Sequence, residues 1–234
     1  MSRTEVDRGR VEVAAVARML ARLGFVHAFG HVSRRVADGM LLTPTRPSLA
    51  DVSAGDVLEI DASGVVAGDV TRCPLEAPLH SAIYRHRPDV GGICRIHSPM
   101  LVSWSGAGGP PPLLHGLGGI AEPVGYWPDP DLITSTERAE SVARALAGGA
   151  TLVLRGNGGL AVGAELSEAI TRAWCLEDRC AVALVAVPRS HPTQASQPFT
   201  DEELSRRSSW FPNETSRLWA WLLERYGDLP ARTP

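Results

Sequence analysis

Arg95 and His97 stand two residues apart in the stretch Cys94-Arg95-Ile96-His97-Ser98-Pro99, at the end of an apolar run. Strand side chains alternate between faces, so both project from the same one. Two histidines so placed would read as a metal clamp, but here a permanent cation holds the first position. Glu76 and His80 form a second pair: a helix opening at Pro74 puts Glu76 in its first turn and His80 one turn later, on one face. A carboxylate and an imidazole can move protons, and a guanidinium grips an oxyanion through two parallel hydrogen bonds. Taken singly, each has a blander use: Glu76 favours a helix N-terminus by its charge, and a lone buried histidine is ordinarily a hydrogen-bonded core residue. His31 and His115 are the other candidates; His86 and His191 sit in polar, Arg- or Pro-flanked contexts that read as surface, and His27 is unassigned.

The elements that must carry these residues follow from hydrophobic spacing. Residues 5–23 repeat apolar positions at helical intervals and stop at Gly24. His31–Val36 and Met40–Thr43 read as strands joined through Ala37-Asp38-Gly39, a hairpin signal. Val57–Ile60 and Val65–Ala67 make a further pair, the helix from Pro74 runs to about Arg87, and Val90–His97 is a buried strand. Residues 106–114, rich in Gly and Pro, can only be loop. Thr136–Leu146 is helical, Thr151–Leu154 and Leu160–Val162 are strands around a tight turn at Arg155–Gly159, and Ser167–Val187 is a long apolar helix. A Ser/Pro/Gln-rich linker at 188–199 leads to a capping signal at Thr200–Glu203 and a tail helix carrying Trp210, Phe211, Trp219, Trp221 and Tyr226. Strands interleaved with helices over 1–187, without an internal linker, predict one layered α/β domain, and 188–234 is a linker and aromatic helix packing on that domain or on a neighbouring subunit.

Composition narrows the chemistry. Of 234 residues, 44% are hydrophobic and 21% charged, as in an ordinary globular chain. A net charge of -3 offers no basic footprint for nucleic acid or for a membrane surface, and no apolar run reaches membrane-spanning length. Acidic residues among the first twenty do not suit a signal peptide, and Cys73, Cys94, Cys175 and Cys180 lack metal or disulfide spacing, so reduced thiols in a cytoplasmic protein are expected. All 23 basic residues are arginine. Without lysine there is no Schiff base, no lysine-bound pyridoxal phosphate and no Walker P-loop.

The segments GFVHAFGHVSRR, LLTPT, LEAPLHSAIYRHRPDVGGICRIHSP, LVLRGNGGLAVG and LSEAITRAWCLEDRCAVAL occur in that order from about residue 10 to 187. In this the chain resembles the class II aldolase/adducin family. Gly30-His31-Val32-Ser33 with the later Arg155-Gly156-Asn157-Gly158 resembles the branch containing hydroxyaromatic-carboxylate decarboxylases. The resemblance implies a three-layer α/β/α domain with a central, largely antiparallel sheet, assembled as a homotetramer with sites at subunit interfaces. It also implies three histidines holding a divalent metal that stabilises an enediolate, with a glutamate moving protons. Carried over by position, Glu76 matches that glutamate and His97 the second strand histidine, while Arg95 replaces the first histidine and Asn157 the third.

One ligand of three remains. A guanidinium within about 4 Å of a divalent cation would cost roughly 8 kcal/mol, twice the unit-charge figure at an effective dielectric of 20, and arginine does not deprotonate to relieve it. The expectation is therefore a lyase without a cofactor, acting on a small anionic substrate, a carboxylated or hydroxylated keto or aromatic compound. Arg95 anchors the anion, Glu76 and His97 transfer protons, and His31, Ser33, Thr43, His80, His115 and Asn157 border the substrate. Thr43 lies in a turn resembling the family's phosphate-binding one, with Arg46 in place of its glycine. Two alternatives stand beside this: a decarboxylase, aldolase or oxygenase holding zinc, manganese or iron at His97 with rearranged ligands, and a non-catalytic adducin-like binding protein.

Overall fold

The computed structural model describes residues 3–186 and 198–228. Most of the expected linker, 188–197, and His191 within it lie outside the described residues. Helix α1 (Arg3–Arg22) buries Val13, Val16 and Leu20, a stripe at i, i+3 and i+7. Strands β1 (His31–Val36) and β2 (Gly39–Leu42) form the expected hairpin, followed by β3 (Leu58–Asp61) and the short β4 (Val66–Ala67). Helix α2 (Ala77–His86) leads to β5 (Gly92–Ile96), α3 (Pro99–Ser105) and β6 (Val124–Trp127). Helix α4 (Thr136–Leu146), β7 (Thr151–Leu154), β8 (Gly159–Gly163) and α5 (Leu166–Ala186) complete the domain, and α6 (Asp201–Ser208) and α7 (Phe211–Tyr226) form the tail.

The strands make one eight-stranded sheet in the order β4-β3-β2-β1-β5-β8-β7-β6. Every neighbouring pair is antiparallel except β6 with β7. Strand alternation divides the core in two. Val32, Leu41, Cys94, Ile96 and Ala161 pack on α1 and α5, while Met40, Leu42, Ile93, Leu160 and Val162 pack on α2 and α4. The result is the anticipated three-layer arrangement. Arg95, between Cys94 and Ile96, falls on the α2 side.

Two local expectations are corrected, at the start of α2 and in the tail, and two elements, β6 and α3, carried no expectation from sequence. Helix α2 starts at Ala77, so Glu76 is its N-cap residue rather than part of the first turn, and Pro74 belongs to the preceding turn. Strand β6, flanked by Pro123 and Pro128, is a short edge strand without an apolar alternation to announce it. Helix α3 is one seven-residue helix that hydrophobic spacing alone does not mark. The tail is two helices, broken at Ser209-Trp210 ahead of Pro212. Within this chain the tail packs on its own domain. Leu222 is fully buried, Trp221 meets the Trp174 ring edge-on at 6.0 Å, and Asp228 pairs with Arg18 and Arg22 of α1.

The C-terminal end of β5 is gripped from both sides by backbone. Gly30, just before β1, leaves room where a Cβ would lie 2.4 Å from Val26 Cγ1 and 3.0 Å from the Arg95 carbonyl oxygen. Gly158, in the β7–β8 turn, has φ +67, and a Cβ there would sit 2.3 Å from the Ile96 carbonyl oxygen. Gly156 in the same turn has φ +66 but faces open space. Left-handed backbone costs an alanine about 1–2 kcal/mol, so Gly156→Ala should lose that amount in urea unfolding. Gly158→Ala should lose clearly more, because it adds a clash with β5. Equal losses would contradict the close packing of this turn on the strand.

Candidate active site

Arg95 occupies the centre of the molecule with no exposed surface. Its register partners are His31 on β1 and Leu160 on β8. A buried cation must be paired, and two elements provide for it. From the start of α2, Glu76 brings Oε2 to 3.2 Å from Arg95 Nε, an ion-pair distance without hydrogen-bond alignment, and its Oε1 accepts from the Ile133 amide at 3.4 Å. From the other side Arg95 Nη1 donates to the carbonyls of Ile96, Asn157 and Gly159 at 3.0, 2.9 and 3.4 Å. Burial pushes the guanidinium below its usual value, and the Glu76 carboxylate opposes that. Nη2 has no partner among the described residues. The anticipated two-point grip on a substrate is thus largely committed to backbone, with Nη2 the remaining free edge.

The β7–β8 turn that supplies those carbonyls also fixes His97. Leu154 and Gly158 close the turn (N–O 2.8 Å), and Asn157 Oδ1 sits 3.0 Å from His97 Nε2. With the Asn157 amide so oriented, Nε2 donates and Nδ1, which has no partner, carries the lone pair. The His97 amide donates to the Phe25 carbonyl at 2.9 Å, and the exposed Phe29 ring lies 6.4 Å away. Burial, then the Arg95 charge, pushes His97 down to about 4, so it is a neutral imidazole near pH 7.

His80 and Ser33 meet behind this pair. Ser33 Oγ is 2.7 Å from His80 Nδ1 and 2.8 Å from the Tyr84 hydroxyl, all three buried. His80 Nε2 has no partner among the described residues, and its ring meets His31 edge-on at 5.6 Å. Burial, with Arg95 adding, pushes His80 down to about 3, and His31 is held well below its usual value by burial, His80, Arg95 and His97 in that order.

One chain therefore gathers Glu76, Arg95, His97, Asn157, His31, His80 and Ser33 on the α2 side of the sheet. Two sequence candidates stand apart. Thr43 Oγ1 accepts from the Val32 amide at 3.0 Å, tying β1 to the chain after β2. His115 caps a 3-10 turn, Gly116–Ala121, that packs on α5, and lies 3.5 Å from Asp178, on the opposite face of the sheet. Three contributors went unmarked by sequence reasoning. Tyr84 had a usable signal, its i+4 spacing from His80. Glu177 had none. Reaching from α5, it accepts from Ser98 Oγ and from the amides of Met100 and Leu101 at 2.6–2.9 Å, holding the start of α3 beside His97. Phe29 is the third.

The donor set does not fit a divalent metal. Of the three positions that the resemblance marks for metal ligands only His97 offers a ligand, its Nε2 is engaged by Asn157, and a guanidinium stands at the first. Among the described residues no three His, Cys, Asp or Glu side chains gather as a metal site would require.

The Class II Aldolase and Adducin N-terminal domain family matches residues 11–184. The chain is 26% identical over 191 residues to a 3,4-dihydroxyphthalate decarboxylase of Arthrobacter keyseri, covering 75% of this chain and 77% of that one. It is 27% identical over 190 residues to human beta-adducin, covering 76% of this chain and 26% of that one. The fold matches an L-fuculose 1-phosphate aldolase from Glaciozyma antarctica with a TM-score of 0.79 at 21% identity, over 96% of this chain and 93% of the other. No helix among the described residues is long and apolar enough to cross a membrane.

Three neutral imidazoles around one cation set the acid behaviour. His80, depressed to about 3 when folded, takes a proton near pH 6.5 once unfolded. The unfolded chain then binds more protons below pH 6.5, so the contribution is complete above that pH and is lost as pH falls toward the folded value. His80 alone should remove up to about 1.4 kcal/mol per pH unit across that window. Melting temperature should fall between pH 7 and pH 5, and less steeply in His80→Asn. A profile flat over that range in the native protein would contradict these burials.

Proposed function

The chain belongs to the class II aldolase and adducin family, and on that premise we propose that it is a metal-independent lyase that removes a carboxylate from a small hydroxylated aromatic or keto acid. The observation that carries this reading is the placing together, at one strand end, of a neutral imidazole with a buried, unpartnered Nδ1, His97, and a buried cation with an unpartnered Nη2, Arg95. The decarboxylase resemblance supports the substrate class.

With a hydroxyaromatic acid, His97 Nδ1 takes the proton of the substrate hydroxyl and delivers it to the carbon bearing the carboxylate, giving the keto tautomer; a keto acid already has its carbonyl and needs no such transfer. The carbon–carboxylate bond then breaks, carbon dioxide leaves, and the electron pair moves onto oxygen as a phenolate or enolate. Arg95 stabilises that charge from a site without bulk water. A solvent proton completes the product. Glu76 holds the Arg95 Nε edge and shares the proton traffic, Asn157 fixes the His97 ring, and His31 lines the site. Aldol cleavage would pass through the same enolate and is the nearest variant of this chemistry. A homotetramer in the cytoplasm, free of nucleic acid and membrane, is the setting proposed with it.

A second reading has its own support. Arg95 has no exposed surface, and Nη1 and Nε are already engaged, so the Arg95–Glu76 pair could serve the fold alone in an adducin-like binding protein. Turnover decides between them. Protein purified without chelator should hold well under one divalent ion per chain by elemental analysis, release carbon dioxide from some member of a hydroxybenzoate and keto-acid panel, and keep that activity in EDTA. His97→Gln should lower kcat about 10²–10⁴-fold with little change in melting temperature. Full occupancy by zinc, manganese or iron with EDTA-sensitive activity would overturn metal independence. No turnover across the panel, with carboxylate binding indifferent to His97→Gln, would favour the binding protein.

A further inference from the structure

Five buried nitrogens of this site lack a hydrogen-bond partner among the described residues: Arg95 Nε and Nη2, His80 Nε2, His31 Nδ1 and His97 Nδ1. Arg95 Nε has the Glu76 carboxylate at ion-pair distance and His97 Nδ1 is a lone pair, and of the rest Arg95 Nη2 and His80 Nε2 are the donors of interest. Both belong to fully buried side chains that border His31, one through strand register and one through ring contact. Buried polar groups in folded proteins are nearly always hydrogen-bonded, so exceptions that share a neighbour require an explanation.

The hydrogen count along Tyr84, Ser33 and His80 says which nitrogen of His80 carries its proton. If Tyr84 O–H donates to Ser33 Oγ and Ser33 O–H donates to His80 Nδ1, every hydroxyl hydrogen is used, and the proton of the neutral ring is on Nε2. Run the other way, Nδ1–H donates to Ser33 and Ser33 to Tyr84. The Tyr84 hydrogen is then stranded, and the Nε2 lone pair is bare as well. The first arrangement leaves one unmet group, the second two. In the first, an N–H donor and a guanidinium N–H both border His31 without a protein acceptor, and two such donors suit an oxygen bearing negative charge.

We infer that the Tyr84–Ser33 chain locks His80 as an Nε2–H donor and that His80 Nε2 and Arg95 Nη2 together form an oxyanion-binding pair for a phenolate or enolate oxygen. Ser33 and Tyr84 are then positioning residues, and His80 touches the reacting oxygen. The inference rests on the lyase reading for its ligand class, but its test needs no turnover.

Nitrocatechol serves as the probe, because its absorption reports whether the bound hydroxyl is ionised. The full-length protein should bind its anion in preference to the neutral form, so that bound probe ionises at a lower pH than free probe. Ser33→Ala should reduce that preference roughly tenfold, and Tyr84→Phe should reduce it less, since Ser33 can still donate to His80. Long-range proton–nitrogen spectra of histidine-labelled protein, assigned by the signal missing in His80→Gln, should show His80 neutral with its proton on Nε2 from pH 5 to 8. A proton on Nδ1 in the unsubstituted protein would overturn the lock without requiring any variant to fold. Anion preference unchanged by a folded Ser33→Ala would overturn the role of the chain while leaving Arg95 and the lyase reading intact. No preference for the anion in the unsubstituted protein would remove the oxyanion pair itself, whatever the carbon dioxide assay returns.

Discussion

A guanidinium sealed in the middle of an eight-stranded sheet imposes conditions on everything near it. Its charge cannot be shed, and an uncompensated buried ion is among the costliest defects a fold can carry. Glu76 is therefore held at the head of α2, where its carboxylate reaches Arg95 Nε at 3.2 Å. The β7–β8 turn folds back so that its carbonyls point at Nη1, and that requires glycine where the turn presses on β5. The same charge reaches outward. It adds to burial in keeping His31, His80 and His97 neutral, so the site holds three uncharged imidazoles around one fixed cation.

By the resemblance read from the sequence, Arg95, His97 and Asn157 stand where three metal-ligand histidines would be expected. A metal is an exchangeable double charge with coordination in several directions. A guanidinium is a single charge, covalently fixed, with planar directional donors. The exchange changes what else the site needs. Asn157, no ligand itself, becomes the clamp on the His97 ring, and the buried Ser33–His80–Tyr84 chain places a second imidazole beside the cation.

The sheet separates chemistry from scaffold. On the α2 side lie the ion pair and the imidazoles. On the other, α1, α5 and α7 supply most of the larger apolar core, and the tail closes over it with Leu222 and the Trp221–Trp174 contact. Glu177 on α5 caps the start of α3, on the same side of the sheet, and so steadies the segment that follows His97.

Local signals sufficed for much of this. Period-two and period-3.6 patterns located the β1–β2 hairpin, β5, β7, β8 and the long helices, because each buries one face or is buried whole. Strand parity alone placed Arg95 and His97 together, and motif order identified the family. What escaped lacked a local signature. Strand β6 is an edge strand held by parallel pairing between prolines, and Glu177 acts on residues nearly eighty positions away. The N-cap place of Glu76 differs from a first-turn place by one residue, which spacing does not resolve. Histidine spacing could not say that His115 lies across the sheet from His97, since a connection passing from one face to the other leaves no periodic trace. Nor could residue types show that Arg95 Nη1 is spent on backbone. Which residues could do chemistry was written in their types and order. Which atoms remain free to do it was decided by tertiary structure, because a buried polar atom's availability depends on partners that only folding brings within reach.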